Sequence, residues 1–248
     1  MQQILRAAVV TSLVALLASC SGSEDKKEED HHKDSSSVAT SKLCDGLLDT
    51  TGGASLAELT RSRKVTVAAG DHGTERERVA KRMRSTEGAG QGSPRLASIC
   101  TFKAPSRAGA DGQETARIQY GWAPAPRKYS KGHDYLLAGS TIVDSYFWSE
   151  SDRTSIHYKC KLPSGHSGTV TGRFNGGWIN RSGAKGVEHK YSRILLASAS
   201  AMSDALGCVN KPDLAPTSRI TDLNHDVPPN KLPEHPLPGL PESGPVRK

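Results

Sequence analysis

Five cysteines punctuate this chain of 248 residues. Four of them, Cys44, Cys100, Cys160 and Cys208, fall in the stretch that can build a core. In an oxidising compartment an even number of cysteines reads as two disulfides, and four cysteines allow three connectivities. Free buried thiols and a metal site are the alternatives. No two of the four have the Cys-x-x-Cys spacing that zinc or redox motifs use, so no metal is expected. The choice turns on the compartment, and therefore on the fifth cysteine.

Cys20 closes the first twenty residues. Residues 1–6 carry one fixed positive charge, Arg6, besides the amino terminus, and residues 7–17 are an uncharged run too short for a stop-transfer helix. Small residues follow in Leu17-Ala18-Ser19-Cys20. This pattern closely resembles the lipobox of bacterial lipoprotein signal peptides. The resemblance implies diacylglyceryl transfer to the Cys20 thiol and cleavage just before it, leaving residues 1–19 as a signal peptide outside the fold. Two acyl chains hold a membrane stably where one binds only marginally. The expected location is the extracytoplasmic face of the bacterial cell membrane, with the bilayer as a partner through acylated Cys20. An ordinary secretory signal with a chance cysteine is the plainer alternative.

Two arms are expected on either side of the domain. Residues 20–42 are polar and serine-rich and read as the lipidated N-terminus and a disordered tether. Within it, residues 24–34 hold six acids against three lysines, a local net of −3, so the rest of a chain with formal charge +7 is more basic than average. From residue 224 to 248 seven of the fourteen prolines crowd together, which reads as an extended disordered tail. An exported basic protein meets anionic lipid headgroups or wall polymers rather than nucleic acid. A solvated basic surface is the preferred explanation of the charge over any specific anion site.

Residues 43–223 are expected to form one α+β domain, an antiparallel sheet with terminal helices. Alternation is clearest in residues 115–122, where Ala116, Ile118, Tyr120 and Trp122 share one face and Thr115, Arg117 and Gln119 the other. Residues 155–162 place Ile156, Tyr158, Cys160 and Leu162 inward and His157, Lys159 and Lys161 outward. Residues 65–67, 96–103, 169–174 and Thr141–Trp148 read as further strands, the last buried on both sides. Val187–Leu206 is the best helix: Val187, Tyr191, Leu195, Ala199, Met202 and Leu206 recur at three- and four-residue steps, with Ile194 beside them and Gly207 as a left-handed cap. Thr74–Ser85 suits a solvated helix with Val79 and Met83 as its apolar stripe. Near residue 56 a short helical turn is expected, with Ser55 as its N-cap.

A faint two-half repeat runs through the domain. Cys100 leads through a Pro105 loop to a strand ending at Trp122, and Cys160 leads through Pro163 to a strand followed by Trp178. If each half supplies one helical and one strand cysteine, the pairs are Cys44 with Cys100 and Cys160 with Cys208. Local convergence of two hairpins explains the same pattern.

The lipobox, the Cys44-Asp45-Gly46-Leu47-Leu48 start, Tyr158-Lys159-Cys160-Lys161-Leu162-Pro163, and a helix ending Ala205-Leu206-Gly207-Cys208 together resemble a broad family of actinobacterial secreted lipoproteins. The resemblance covers most of residues 43–210. It implies the anchor, the disulfides and an α+β fold, and it carries over no catalytic residue.

The motifs that would signal an enzyme are incomplete. Ser182-Gly183-Ala184-Lys185 matches Ser-x-x-Lys but lacks the Ser-Asp-Asn and Lys-Thr-Gly that accompany it in penicillin-binding enzymes. Gly165-His166-Ser167-Gly168 misses nucleophile-elbow spacing and reads as a hairpin loop, and Gly88-Ala89-Gly90-Gln91-Gly92 is no phosphate loop. His72, His133, His157, His166 and His189 share no spacing, though a triad assembled in space needs none. Trp122, Trp148 and Trp178 are expected in the core rather than on a sugar-stacking surface. No catalytic residue, cofactor or metal ligand is assigned. The expected function is a membrane-anchored binding or interaction module of the cell envelope, with an envelope protein or anionic wall polymer as its partner. The competing class is an envelope hydrolase with a nonstandard site.

Overall fold

The computed structural model describes residues 35–68, 74–86, 96–105, 113–130, 133–139, 141–148, 151–176, 186–224 and 237. Among them lie nine strands: β1 (Ser35–Ala39), β2 (Lys64–Ala68), β3 (Ala97–Pro105), β4 (Gln113–Trp122), β5 (His133–Ala138), β6 (Thr141–Trp148), β7 (Ser151–Lys161), β8 (Ser167–Asn175) and β9 (Ile220–Asp222). They form one sheet in the order β1-β2-β3-β4-β8-β7-β6-β5-β9, antiparallel at every pairing. Three helices complete the described fold: α1 (Asp49–Thr60), α2 (Thr74–Ser85) and α3 (Val187–Leu206). The α+β architecture with an antiparallel sheet is therefore as the sequence predicts.

Period-two alternation sorts the sheet into two faces. On the first, Phe102, Ala116, Ile118, Tyr120, Ile156, Tyr158, Val170 and Phe174 are buried against α3, whose Tyr191, Ile194, Leu195, Ala199, Met202 and Leu206 are buried in turn. Full burial of each such side chain contributes about 1.5–3 kcal/mol. Helix α2 closes over β3 with Val79, Ala80 and Met83, and Trp122 Nε1 donates to the Met83 carbonyl at 2.9 Å. Trp122 is thus a core-edge residue, partly buried and packed against the main cluster.

Both disulfides pair as the two-half reading has it: Cys44 with Cys100, Cα atoms 5.8 Å apart, and Cys160 with Cys208, 5.2 Å apart. Gly207 caps α3 in the left-handed conformation at φ 73°, and turns the chain so that Cys208 meets β7. Val209 N–H donates to the Lys161 carbonyl at 2.8 Å, and the Asn210 amide bonds both Lys161 N–H and the Lys159 carbonyl, standing in for a neighbouring strand. The hairpins β3–β4 and β7–β8 lie side by side, joined through β4 and β8. The helices do not follow the same rule, because α1 precedes its hairpin and α3 follows its own, so the likeness covers the hairpins and their disulfides alone.

Four features depart from expectation. Strand β1 begins at Ser35, inside the stretch read as tether, because an edge strand needs only backbone pairing and shows little apolar signal. Helix α1 starts at Asp49, not Ser55, and the Asp49 carboxylate accepts Gly52 N–H at 2.9 Å. The glycines that disguise this helix permit close packing: a Cβ on Gly52 would stand 2.8 Å from Ala197 Cβ of α3. Strands β5 and β9 at the far edge were also not legible. Finally, His157 points to the second face as read, but it is buried there, at 6% exposure.

The cover over that face explains the last point. Residues 123–130 leave β4 beside β8, where Ala123 N–H donates to the Thr169 carbonyl at 3.1 Å, and reach β5, where Tyr129 packs edge-on against Tyr135. To do so they cross β7 and β6. Tyr129, Tyr135, Ile142 and Leu237 form a second small apolar cluster, and Leu237 N–H donates to the Arg127 carbonyl at 3.0 Å. Leu223 N–H bonds the Tyr135 carbonyl at 2.8 Å, which fastens the end of the domain there. The remainder of the proline-rich stretch, like residues 1–34, lies outside the described residues.

Candidate site on the open half of the sheet

Where the cover stops, the second face is polar. Two transverse rows follow from the strand register. One runs Thr101, Arg117, Asn175, Arg153, and the other Ser98, Gln119, Arg173, Ser155, Asp144. With strands about 4.8 Å apart, Arg117 and Arg153 stand roughly 10 Å from each other across Asn175. Arg173 sits two residues along β8 from Asn175, diagonal to both. Arg117 and Arg153 are exposed and Arg173 is half-buried. Asn175 Nδ2 donates to Gln119 Oε1 at 2.8 Å, so the two amides satisfy each other between the arginines.

None of the three guanidinium groups is within ion-pair distance of a carboxylate among the described residues. Arg173 Nε is buried and has no hydrogen-bond partner there. Burial pushes the Arg173 guanidinium below its ordinary pKa and neighbouring Arg153 adds to the effect, against a smaller opposing pull from Asp144. Among the described residues this is a concentration of positive charge with no carboxylate at ion-pair distance.

The acid on this face is already engaged. Asp144 Oδ1 and His133 Nδ1 are 2.6 Å apart, and the His133 ring stacks on Tyr135. Under the cover, His157 Nδ1 lies 2.9 Å from Thr171 Oγ1, and the Thr171 hydroxyl donates to the Ala123 carbonyl at 3.3 Å. That chain assigns the proton to Nδ1 and leaves the lone pair of Nε2 buried without a partner. Burial lowers the His157 pKa to about 4; Asp144 raises it and Arg173 lowers it, each by less. The imidazole is neutral at pH 7.

The residues singled out for chemistry do not converge. Ser182, Lys185, His72, Trp178, Cys20 and the glycines at 88, 90 and 92 lie outside the described residues, as does the Trp148 side chain. His166 lies in the β7–β8 turn, where Leu162 N–H bonds its carbonyl at 2.7 Å, and packs edge-on against Trp122. His189 is exposed on α3. Among the described residues no group of three or more His, Cys, Asp or Glu is placed to hold a metal ion. Among them too, no helix is long and apolar enough to cross a membrane.

Sequence reading did not single out Arg153 and Arg173, and saw Arg117 only as an outward residue. The signal was present: all three occupy the outward parity of their strands. What it lacked was the knowledge that β4, β8 and β7 are neighbours.

Fold and site together define a disulfide-stapled α+β protein with a half-covered, cationic sheet face. The chain matches no protein-family model, no curated protein and no solved structure.

Proposed function

We propose that this chain is a lipid-anchored protein of the bacterial cell envelope and that its domain is a non-catalytic binding module. The observation that carries the binding reading is the open half of the second sheet face. There, arginines with no carboxylate at ion-pair distance among the described residues flank two mutually bonded amides. The anchor rests on Leu17-Ala18-Ser19-Cys20 and on the resemblance to secreted lipoproteins. Two disulfides suit an oxidising compartment. Replacing Cys20 with Ala is expected to move the protein from the membrane to the soluble fraction, and retention in the membrane would defeat the anchor.

One observation favours the hydrolase reading. The His133–Asp144 pair has the geometry of an oriented general base. Covalent labelling by a fluorophosphonate probe, lost in His133→Ala, would put this reading ahead of the binding module.

A further inference from the structure

We infer that the open half of the second sheet face is a docking surface for a linear phosphate-bearing polyanion. The inference rests on the binding-module reading and names its partner. Arg117, Asn175 and Arg153 face one another across β4, β8 and β7, and Arg173 completes a triangle with them. A guanidinium is a planar fork of donors that meets phosphate oxygens in pairs, and a tetrahedral phosphate can accept from two forks at once. Arg173 is half-buried beside them and has no carboxylate at ion-pair distance among the described residues, so it adds a third positive charge to the patch. Like charges on Arg153 and Arg173 repel each other in the free protein, and a polyanion relieves that repulsion.

The relief of the surface distinguishes a polymer from a bilayer. Residues 123–130, with Leu237 against them, stand one polypeptide layer above the sheet beside the arginines. A flat membrane resting on this ridge would not reach half-buried Arg173, whereas a single chain can lie along the floor at its foot. Asp144, held by His133 on the covered side, bounds the floor with negative charge and keeps the anion over the arginines.

The test uses the full mature chain, with linear inorganic polyphosphate as probe, orthophosphate as the monomeric comparison and phosphatidylglycerol vesicles as the lipid comparison. Polyphosphate is expected to bind, with log K falling linearly in log salt. In Arg117→Gln/Arg153→Gln, which alters only exposed side chains, Kd is expected to rise at least tenfold and the salt slope to flatten by about 1.4, two contacts at roughly 0.7 each. Lys81→Gln/Arg82→Gln on α2 removes the same charge from exposed positions elsewhere and is expected to leave binding unchanged. Equal weakening by both pairs would mean that net charge alone attracts the polymer, and would overturn the inference. Vesicle binding without polyphosphate binding would also overturn it while sparing the binding-module reading. Cleavage of the bound polyphosphate would instead overturn the module reading itself.

Discussion

Tyr120 lays its ring where Gly172 has no side chain. The two residues are directly paired across β4 and β8, and a Cβ on Gly172 would stand 2.4 Å from Tyr120 Cε1 and 2.5 Å from Cζ, closer than any contact allows. The phenol then reaches α3, with its oxygen 2.8 Å from Ser198 Oγ. One glycine thus lets a strand residue lie across its neighbour and touch the helix. Gly172→Ala is expected to cost about 1–3 kcal/mol, because Tyr120 must leave its place or the strands must part. Tyr120→Phe, which removes only the hydroxyl, is expected to cost about 1 kcal/mol. Urea unfolding measures both, and a neutral Gly172→Ala would mean that the ring is not held there.

Leu195 is fully buried between α3 and the sheet. Leu195→Ala is expected to lower unfolding free energy by about 2–5 kcal/mol, transfer and cavity terms together. A negligible loss in denaturant titration would mean that the helix presents another face.

Non-reducing peptide mapping should recover Cys44 with Cys100 and Cys160 with Cys208. The cysteines in these pairs are separated by 56 and 48 residues. By the chain-entropy relation each contributes about 4 kcal/mol. Cys160→Ala/Cys208→Ala is expected to lower the unfolding midpoint accordingly, and an unchanged midpoint would contradict the pairing's role.

His157 makes stability sensitive to acid, and the sign follows from its depressed pKa. Unfolded, the imidazole titrates near 6.5; folded, near about 4. Above 6.5 both states are neutral and the group is silent. As pH falls from 6.5 towards 4 the unfolded chain takes up a proton that the folded protein refuses. Stability declines across that window, by at most roughly 3 kcal/mol. His157→Gln is expected to lose less stability than the parent between pH 7 and pH 4.5 in chemical denaturation. Parallel losses would show that His157 is not buried neutral.

Strong periodicity marked what was legible. Ala116, Ile118, Tyr120 and Trp122 alternate because one face of β4 meets α3, and the 187–206 stripe is the matching surface on the helix. Ser35–Ala39 escaped because an outermost strand is held by backbone hydrogen bonds and can remain polar. Asp49 was hidden behind Gly52 and Gly53, whose helix-breaking reputation gives way where a neighbouring element needs the space. The arginine triangle and the cover over His157 depend on which distant strands become neighbours, and no local pattern encodes that.

The position of Cys44 sets how the protein would bear mechanical load. A pull on the N-terminal arm enters at β1, the outermost strand, which can peel from β2 one hydrogen-bonded pair at a time. Peeling runs through residues 35–43 and then meets the cystine to Cys100 on β3. Beyond that point the force passes into the interior of the sheet, where strands must shear together rather than unzip. One edge strand and the turn after it thus serve as a compliant leader, ahead of the strands that carry Arg117, Arg153 and Arg173.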